Sequence, residues 1–525
     1  MLRKALVPVF CGILPGLTAT AADPVFVRYK VTGEAPFDLL GRSVAPLGDV
    51  DGDAVPDFAA GAPEWTGMPD PAGRIVVVSG RDGRIVRTLR NETGAANFGA
   101  HVASAGDLDA DGAQDILLTA HGLVEVRSGR TGELLLRIEE AGEEPTKALG
   151  IGDADGDGVP DLAVSYRDFP ISRIAVRSGQ TGNALWGAEG RLDEFAWSFA
   201  ALGDADDDGS PDLAIGEPAL GRASEPGSIR VLRGKDGTTI YSVESIPAGK
   251  SFGFSLAMLS DVDGDGVREL AVGSDSFGLF DQERLGRVDV VSGRTGSPPV
   301  WNRTGGDFDR TSRGSAFLGD RFGAQVGNAG DADGDGADDL LVWAPRNSQA
   351  MNGPVDDSRV HLHSGRTGAL LAVYEAEERE AHFGWGLQRL GDVDGDGRSE
   401  FLVSAEVWSG RAEGGPASLE SAGRVYIMSY LTSGTAFVRG DANLDRRVDV
   451  SDASALARGL MAGDSLPCEE AADVDRNGRN DMTDVVNILL YLFSDEVPAP
   501  DAPFPECGRF ETFRDRLPCE RSSCP

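Results

Sequence analysis

Seven nine-residue stretches of the chain carry an acid at positions one, three, five and nine. They are Asp49, Asp51, Asp53 and Asp57; Asp107, Asp109, Asp111 and Asp115; Asp153, Asp155, Asp157 and Asp161; Asp204, Asp206, Asp208 and Asp212; Asp261, Asp263, Asp265 and Glu269; Asp331, Asp333, Asp335 and Asp339; and Asp392, Asp394, Asp396 and Glu400. Alternate residues of a tight loop can turn their carboxylates onto one point, and the ninth residue can close the cage. A hard cation taking six to eight oxygens is Ca2+ chemistry, and glycine in the loop permits the sharp bend. The ladders offer no soft ligand, which argues against zinc or copper. Four carboxylates within nine residues repel one another, so the ion is expected to hold each loop in shape. Ala54 stands where the other ladders have glycine, which predicts strain or weaker affinity in the first loop.

Two longer loops follow near the C-terminus. The first offers Asp441, Asn443, Asp445, Asp449 and Asp452 at positions 1, 3, 5, 9 and 12, and the second offers Asp473, Asp475, Asn477, Asp481 and Asp484. This is the EF-hand ligand pattern, with Asp instead of Glu at position 12. An apolar helical phrase follows each loop, Ala453–Met461 and Val485–Phe493. Ladders and loops together account for 36 of the 85 acids in a chain of net charge −36. The acidity is therefore mostly ligand inventory for about seven Ca2+ ions in the ladders and two in the loops. It argues against nucleic acid or an anionic membrane surface as partner.

The ladders recur at intervals of 46 to 70 residues, the mark of one supersecondary unit repeated. In the first unit, Gly41–Leu47 alternates as a strand and leads into the ladder. Phe58–Pro63 reads as a second strand, Gly73–Val78 as a β-branched third, and Ile85–Leu89 as a fourth. The turn before that fourth strand, Ser79–Gly83, recurs as Ser128–Gly132, Ser178–Gly182, Arg233–Gly237, Ser292–Gly296 and Ser364–Gly368. Four antiparallel strands repeated radially make a β-propeller blade. The seventh unit supplies strands at His382–Leu390, Glu400–Ala405 and Gly423–Tyr430 but no fourth; Val25–Val31 precedes the first unit and can complete it. That pairing would close a seven-bladed ring and remove two open edges.

Arg3 and Lys4, the apolar stretch Ala5–Leu17 and Ala19-Thr20-Ala21 read as a secretory signal over residues 1–22. The expected organisation is then a propeller over 23–432, a linker over 433–437 and a small α-helical module over 438–525. No segment approaches the roughly 20 apolar residues of a membrane span, so the protein is expected to be secreted or held at the cell surface. Cys468, Cys507, Cys519 and Cys524 remain after signal removal, an even number that suggests two disulfides. Three pairings are possible; loop order favours Cys468–Cys507 with Cys519–Cys524.

Phe98-Gly99, Phe252-Gly253, Phe322-Gly323 and Phe383-Gly384 each precede a ladder, and Gly61-Ala62-Pro63 follows one, with weaker echoes at Gly216-Glu217-Pro218 and Trp343-Ala344-Pro345. This phrase resembles the FG-GAP repeat of integrin α-subunit propellers and their bacterial relatives; units three and four lack Phe-Gly. The paired C-terminal loops at 32-residue spacing resemble a type I dockerin, and the Pro-rich, Cys-containing tail looks like the planctomycete-type variant. Arg446 and Asn480 depart from the residues usual there. The second resemblance implies docking on a cohesin, with loop positions 10 and 11, here Val450, Ser451, Met482 and Thr483, contributing contacts.

Other motifs carry less. Arg439-Gly440-Asp441 spells an integrin-ligand tripeptide, but Asp441 is needed as a loop ligand. His361 and His363 share one face of a strand and have no matching third ligand. No G-x-S-x-G phrase or phosphate loop occurs, so no catalytic residue is assigned. The expected function is a calcium-binding exported protein whose propeller binds a protein or glycan and whose tail docks on a cohesin. The alternative is an extracellular polysaccharide lyase or hydrolase carried on a dockerin, its active-site loop sought in Trp301–Phe322, the longest segment between ladders.

Overall fold

The computed structural model describes residues 25–63, 73–139, 143–168, 171–191, 195–219, 226–245, 251–275, 285–305, 321–345, 358–375, 382–411, 418–419, 421–430, 439–445, 447–462, 466, 469–472, 474 and 480–493. Val25–Thr432 form one compact unit. Within it lie seven four-stranded antiparallel sheets. The first consists of Val44–Gly48, Asp57–Ala62, Arg74–Val78 and Ile85–Arg90, paired in sequence order. Five more follow the same order, and each is a blade. The first strands of successive blades pack against one another all the way round, the seventh against the first, so they line the axis of a closed ring.

Burial explains the strand sequences. Second strands such as Asp57–Ala62 and Asp339–Ala344 are buried at every position, because both faces meet neighbouring blades. Small and β-branched residues suit that slot. Fourth strands such as Ile85–Arg90 and Leu134–Glu139 are mostly exposed, as outer edges are. The cores accordingly lie between blades. One joins Leu47, Ile75 and Val77 of the first blade to Val102, Ile116 and Leu118 of the second.

The seventh blade is built from both ends of the unit. Phe383–Gly391, Glu400–Ala405 and Arg424–Tyr430 supply three strands, and Val25–Thr32 pairs antiparallel with the last, matching Thr32 to Arg424 and Val31 to Val425. The closure inferred from the chain ends is therefore present, and the core it seals packs Val31, Val425 and Ile427 against Phe58 and Val76 of the first blade. Units three and four, without Phe-Gly, still form first strands at Pro145–Gly152 and Ser198–Gly203. In the fourth, Phe195-Ala196 takes the place of Phe-Gly, with Ala196 at φ 50° where Gly253 and Gly323 have 89° and 88°. A short hairpin, Gly410–Arg411 with Ser418–Leu419, was not expected.

Among its described residues the C-terminal module has three helices, α1 (Val450–Ala462), α2 (Glu469–Ala472) and α3 (Met482–Phe493). Ala453, Leu456, Val485 and Ile488 form its core with Ala442 and Val474. No helix among the described residues is long and apolar enough to cross a membrane. The signal segment 1–22 and all four cysteines lie outside the described residues.

Removing residues 25–32 would leave the Arg424–Tyr430 edge unpaired and uncover the seam between the seventh and first blades. The shortened chain is expected to lose its cooperative thermal transition and to aggregate in light-scattering measurements. An unchanged midpoint would show that the closing strand is dispensable.

Candidate metal centres

Each ladder joins the end of a first strand to the start of a second, so all seven lie on one face of the ring. Asp49 shows how a ladder folds: its Oδ1 accepts the N–H groups of Gly52 and Asp53 at 2.7 and 3.0 Å, and its Oδ2 that of Ala54 at 2.9 Å. Asp51 and Asp53 each cap the amide two residues on. The contacts from the fourth and sixth amides recur at Asp153, Asp261 and Asp331. The loop thus gathers its carboxylates by satisfying its own backbone donors.

Position nine differs, because its carboxylate goes inside. Asp57, Asp115, Asp161, Asp212, Glu269, Asp339 and Glu400 are all buried. One oxygen of each accepts a ladder amide, from Val50, Leu108, Ala154, Ala205, Val262, Ala332 or Val393, at 2.5–3.0 Å. In five blades the second oxygen accepts the first glycine N–H of the recurring turn, from Gly80, Gly129, Gly179, Gly234 or Gly365, at 2.9–3.1 Å. The acid therefore ties the ladder to the turn between third and fourth strands. Sequence reasoning saw both motifs and missed the bond joining them; their recurrence together, unit after unit, was the available signal. The close approach also explains the glycine, since a Cβ on Gly179 would overlap the carbonyl oxygen of Pro160.

Two blades break the rule. In the fifth, Glu269 Oε1 is buried without a hydrogen-bond partner. In the seventh, which has no such turn, Glu400 Oε1 accepts the Ser429 hydroxyl at 2.8 Å and lies 3.6 Å from Arg28 Nε of the closing strand.

Burial pushes these acids up, against the pull of the amides. Asp57, Asp115 and Asp212 rise to about 6, Glu269 to about 7 and Asp339 to about 8, with neighbouring ladder carboxylates adding to each shift. A divalent cation would remove both penalties. The residues fit one: Asp261, Asp263, Asp265 and Glu269 can bring one oxygen each within 4.8 Å of one another. So can Asp49, Asp51 and Asp53; Asp107, Asp109 and Asp115; Asp153, Asp155 and Asp161; and Asp204, Asp206 and Asp212. Guanidinium groups stand against several ladders: Arg81 and Arg84 meet Asp53 and Asp51 at 2.7 and 2.6 Å, Arg130 lies 3.5 Å from Asp111, and Arg366 lies 3.5 Å from Asp335. Arg233 replaces the turn serine of the fourth blade and meets Asp206 at 2.9 Å and Asp208 at 3.1 Å. Arg28, only 14% exposed, pairs with Asp394.

In the C-terminal module, Asp441, Asn443, Asp445, Asp449 and Asp452 lie together in one loop. Asp452 is buried in the first turn of α1, where its oxygens accept the N–H groups of Asn443 and Asp449 at 3.1 and 2.8 Å. Asp484 repeats this in α3 with Val474 and Asp481, at 2.8 and 2.9 Å. Asp473, Asp475 and Asn477 lie outside the described residues, as does 306–320, most of the segment singled out for an added loop.

These two architectures match known families. A profile for the FG-GAP repeat covers residues 252–291, and one for the dockerin type I domain covers residues 439–492. The chain is an FG-GAP β-propeller protein with a type I dockerin domain. It is 28% identical to human integrin alpha-IIb over 279 residues, 51% of this chain and 23% of the relative. It is 27% identical to integrin alpha-V of Gallus gallus over 222 residues, 41% of this chain and 20% of the relative. With integrin alpha-PS2 of Drosophila melanogaster it shares 31% over 230 residues, 41% of this chain and 15% of the relative. The chain thus spans about a fifth of the length of these relatives. FG-GAP repeats of the integrin type and dockerins generally bind calcium, and a dockerin implies a cohesin partner. The combination points to an extracellular or surface protein.

On the dockerin domain Val450, Ser451, Met482 and Thr483 are all exposed. The structure adds what the sequence reading missed: Met482, Val486, Leu490 and Phe493 form an exposed apolar stripe along α3, Phe493 at 75%. Their spacing follows the helical period and was visible. The tripeptide Arg439-Gly440-Asp441 has both charged side chains fully buried. His361 and His363 are also buried; their rings stack at 6.1 Å between centroids, and burial holds them at about 3 and about 4. They are core residues.

Ala54 has φ 66°, while its counterparts Gly158 and Gly336 have 88° and 87°. A left-handed alanine costs roughly 1 kcal/mol. Ala54→Gly is expected to raise the stability of the first blade by about that amount in denaturant titrations; a fall would remove strain as the reading of this loop.

Proposed function

We propose that this is an exported, non-catalytic binding protein: a calcium-loaded propeller that presents a ligand-binding face, attached through its dockerin domain to a cohesin-bearing surface or complex. The buried ninth-position carboxylate carries the reading. It gives each clustered acid a task in holding the loop and the turn, so the ladders need no catalytic role to account for their charge.

In this reading the ligands are the seven ladders, from Asp49 to Glu400, and the two dockerin loops with Asp441 to Asp452 and Asp473 to Asp484. Calcium supplies positive charge where the loops concentrate carboxylates. Arginines compete with it, Arg28 and Arg233 at the seventh and fourth ladders among them. The glycine turns fix the buried oxygen in place before any ion arrives, which lowers the cost of ordering the site. At a Kd of about 0.1 mM and external Ca2+ of about 1 mM, each site contributes roughly 1.4 kcal/mol. Seven would add about 10 kcal/mol if additive, comparable with the net stability of a whole domain.

Two outcomes test this. Moving the intact protein from chelator to about 1 mM Ca2+ is expected to raise its melting midpoint by about 10 °C, while Mg2+ at the same level leaves it nearly unchanged; equal effects of the two ions would sink the calcium assignment. The full chain should also capture a cohesin from the producing organism's envelope in Ca2+ and release it in chelator. Substituting Met482 and Thr483 together with Val450 and Ser451 by aspartate should abolish capture and leave the melting midpoint unchanged. Capture that survives both chelator and substitution would exclude docking through these helices.

A further inference from the structure

At the end of the ring opposite the ladders, the starts of the first strands bring cations and aromatic rings together. Lys147 lies near the start of the third blade's first strand, and Arg167 lies near the end of the antiparallel second strand beside it. Arg42 precedes the first strand of the first blade, Trp197 that of the fourth and Phe254 that of the fifth. Trp385 stands near the start of the seventh. The Arg167 guanidinium lies 5.2 Å from the Trp197 ring centroid, and Lys147 Nζ donates to the Trp197 carbonyl at 3.1 Å. Trp197 and Phe254 are 5.4 Å apart, and Arg42 lies 4.5 Å from the Trp385 centroid.

Charge makes this mouth unusual. The chain carries 85 acids against 49 basic residues, and most arginines among the described residues of the propeller are paired with a carboxylate. Arg42 is one of these, donating to Glu406 at 2.5 Å. Lys147 and Arg167 have no carboxylate partner among the described residues. Burial and the nearby Arg167 and Arg42 bring Lys147 down to about 8. Lys147 nonetheless keeps accessible surface, as a side chain does when protein surrounds a channel mouth on all sides. Lys147 and Arg167, held together at this cost without a carboxylate partner among the described residues, are poised for an external one.

We propose that the axial mouth formed by Arg42, Lys147, Arg167, Trp197, Phe254 and Trp385 binds an anionic oligosaccharide. The proposal rests on the propeller being a ligand-binding face and names that face and its ligand class. A guanidinium backed by an indole plane is oriented for bidentate contact with a carboxylate or sulfate. Trp197, Phe254 and Trp385 are half-buried, so part of each ring is free to cover the apolar face of a sugar. A sugar acid carries both features on one rigid unit. An acidic peptide offers its carboxylates on flexible stems and no flat apolar face, so it matches the mouth less well.

The test uses the full chain in Ca2+, with tryptophan fluorescence and calorimetry as readouts. The probes are oligogalacturonate, a sulfated heparin oligosaccharide, a neutral xylo-oligosaccharide and poly-glutamate. Oligogalacturonate or the sulfated probe should bind, and whichever binds tighter identifies the acid group. The double variant Lys147→Met with Arg167→Gln should bind at least tenfold more weakly at an unchanged melting midpoint. Unchanged affinity in that variant would overturn the mouth as the site and leave the propeller a binding protein. Poly-glutamate bound as tightly as the glycans, with the same loss in the variant, would overturn the oligosaccharide class. Binding of the neutral probe alone would overturn the charge argument, and silence from every probe would remove the ligand-binding reading as well.

Discussion

A carboxylate placed in a protein interior is costly unless its oxygens are satisfied, and this propeller buries one seven times and satisfies both oxygens in six of them. The acid at the ninth ladder position begins, or immediately precedes, the second strand of its blade, which both neighbouring blades cover. It cannot be hydrated there. Its oxygens are satisfied by a ladder amide on one side and, in five blades, by a glycine amide of the turn on the other. From that requirement follow the tightness of the ladder, the glycine of the turn and the pairing of the two motifs in each of those blades. The residual cost appears in the raised acid pKa values, highest at Asp339. A repeat whose most conspicuous motif looks like a surface ion site thus depends on an interior polar bond.

Departures from the repeat can be read in the same terms. The seventh blade has no turn of its own, so Ser429 and the closing strand's Arg28 take over the second oxygen of Glu400. Ring closure therefore couples strand pairing to the electrostatics of the last ladder. The fifth blade leaves Glu269 Oε1 without a partner, which makes its ladder the one most in need of a cation. In the fourth, Arg233 sits where other blades have serine and brings an internal positive charge to Asp206. Seven ladders of similar sequence thus face seven different local fields, and equal affinities are not to be expected of them.

Much of this was legible because a repeat states its pattern several times. Ladder spacing, four-strand units, the missing fourth strand and its N-terminal substitute could all be read from residue order, and strand limits in the first unit differ from observation by no more than three residues. Three things stayed hidden for physical reasons. Phe195-Ala196 was not recognised as a variant of Phe-Gly, because only the backbone shows Ala196 in the left-handed region. The bond between ladder and turn is a contact between motifs about 20 residues apart, and spacing alone does not specify contacts. The cationic mouth is assembled from five blades, so no local segment announces it. Local order thus revealed the ladder face and concealed the opposite one.

The two faces of the ring place different demands on its sequence, and this bears on how the protein can evolve. On the ladder face, every substitution must respect a buried carboxylate, a close glycine approach and a positive φ, so change there costs stability. At the mouth, residues such as Lys147 and Arg167 are exposed side chains on strands whose pairing depends on backbone bonds alone. They can change with little effect on the blades. The dockerin domain divides its labour similarly: Asp452 and Asp484 are buried in helix first turns, while Val450, Ser451, Met482 and Thr483 next to them are exposed. Buried carboxylates fix the frame in both parts, and the exposed neighbours are side chains that the frame does not need. A rigid frame with replaceable contacts suits a module that is attached in one place and binds in another.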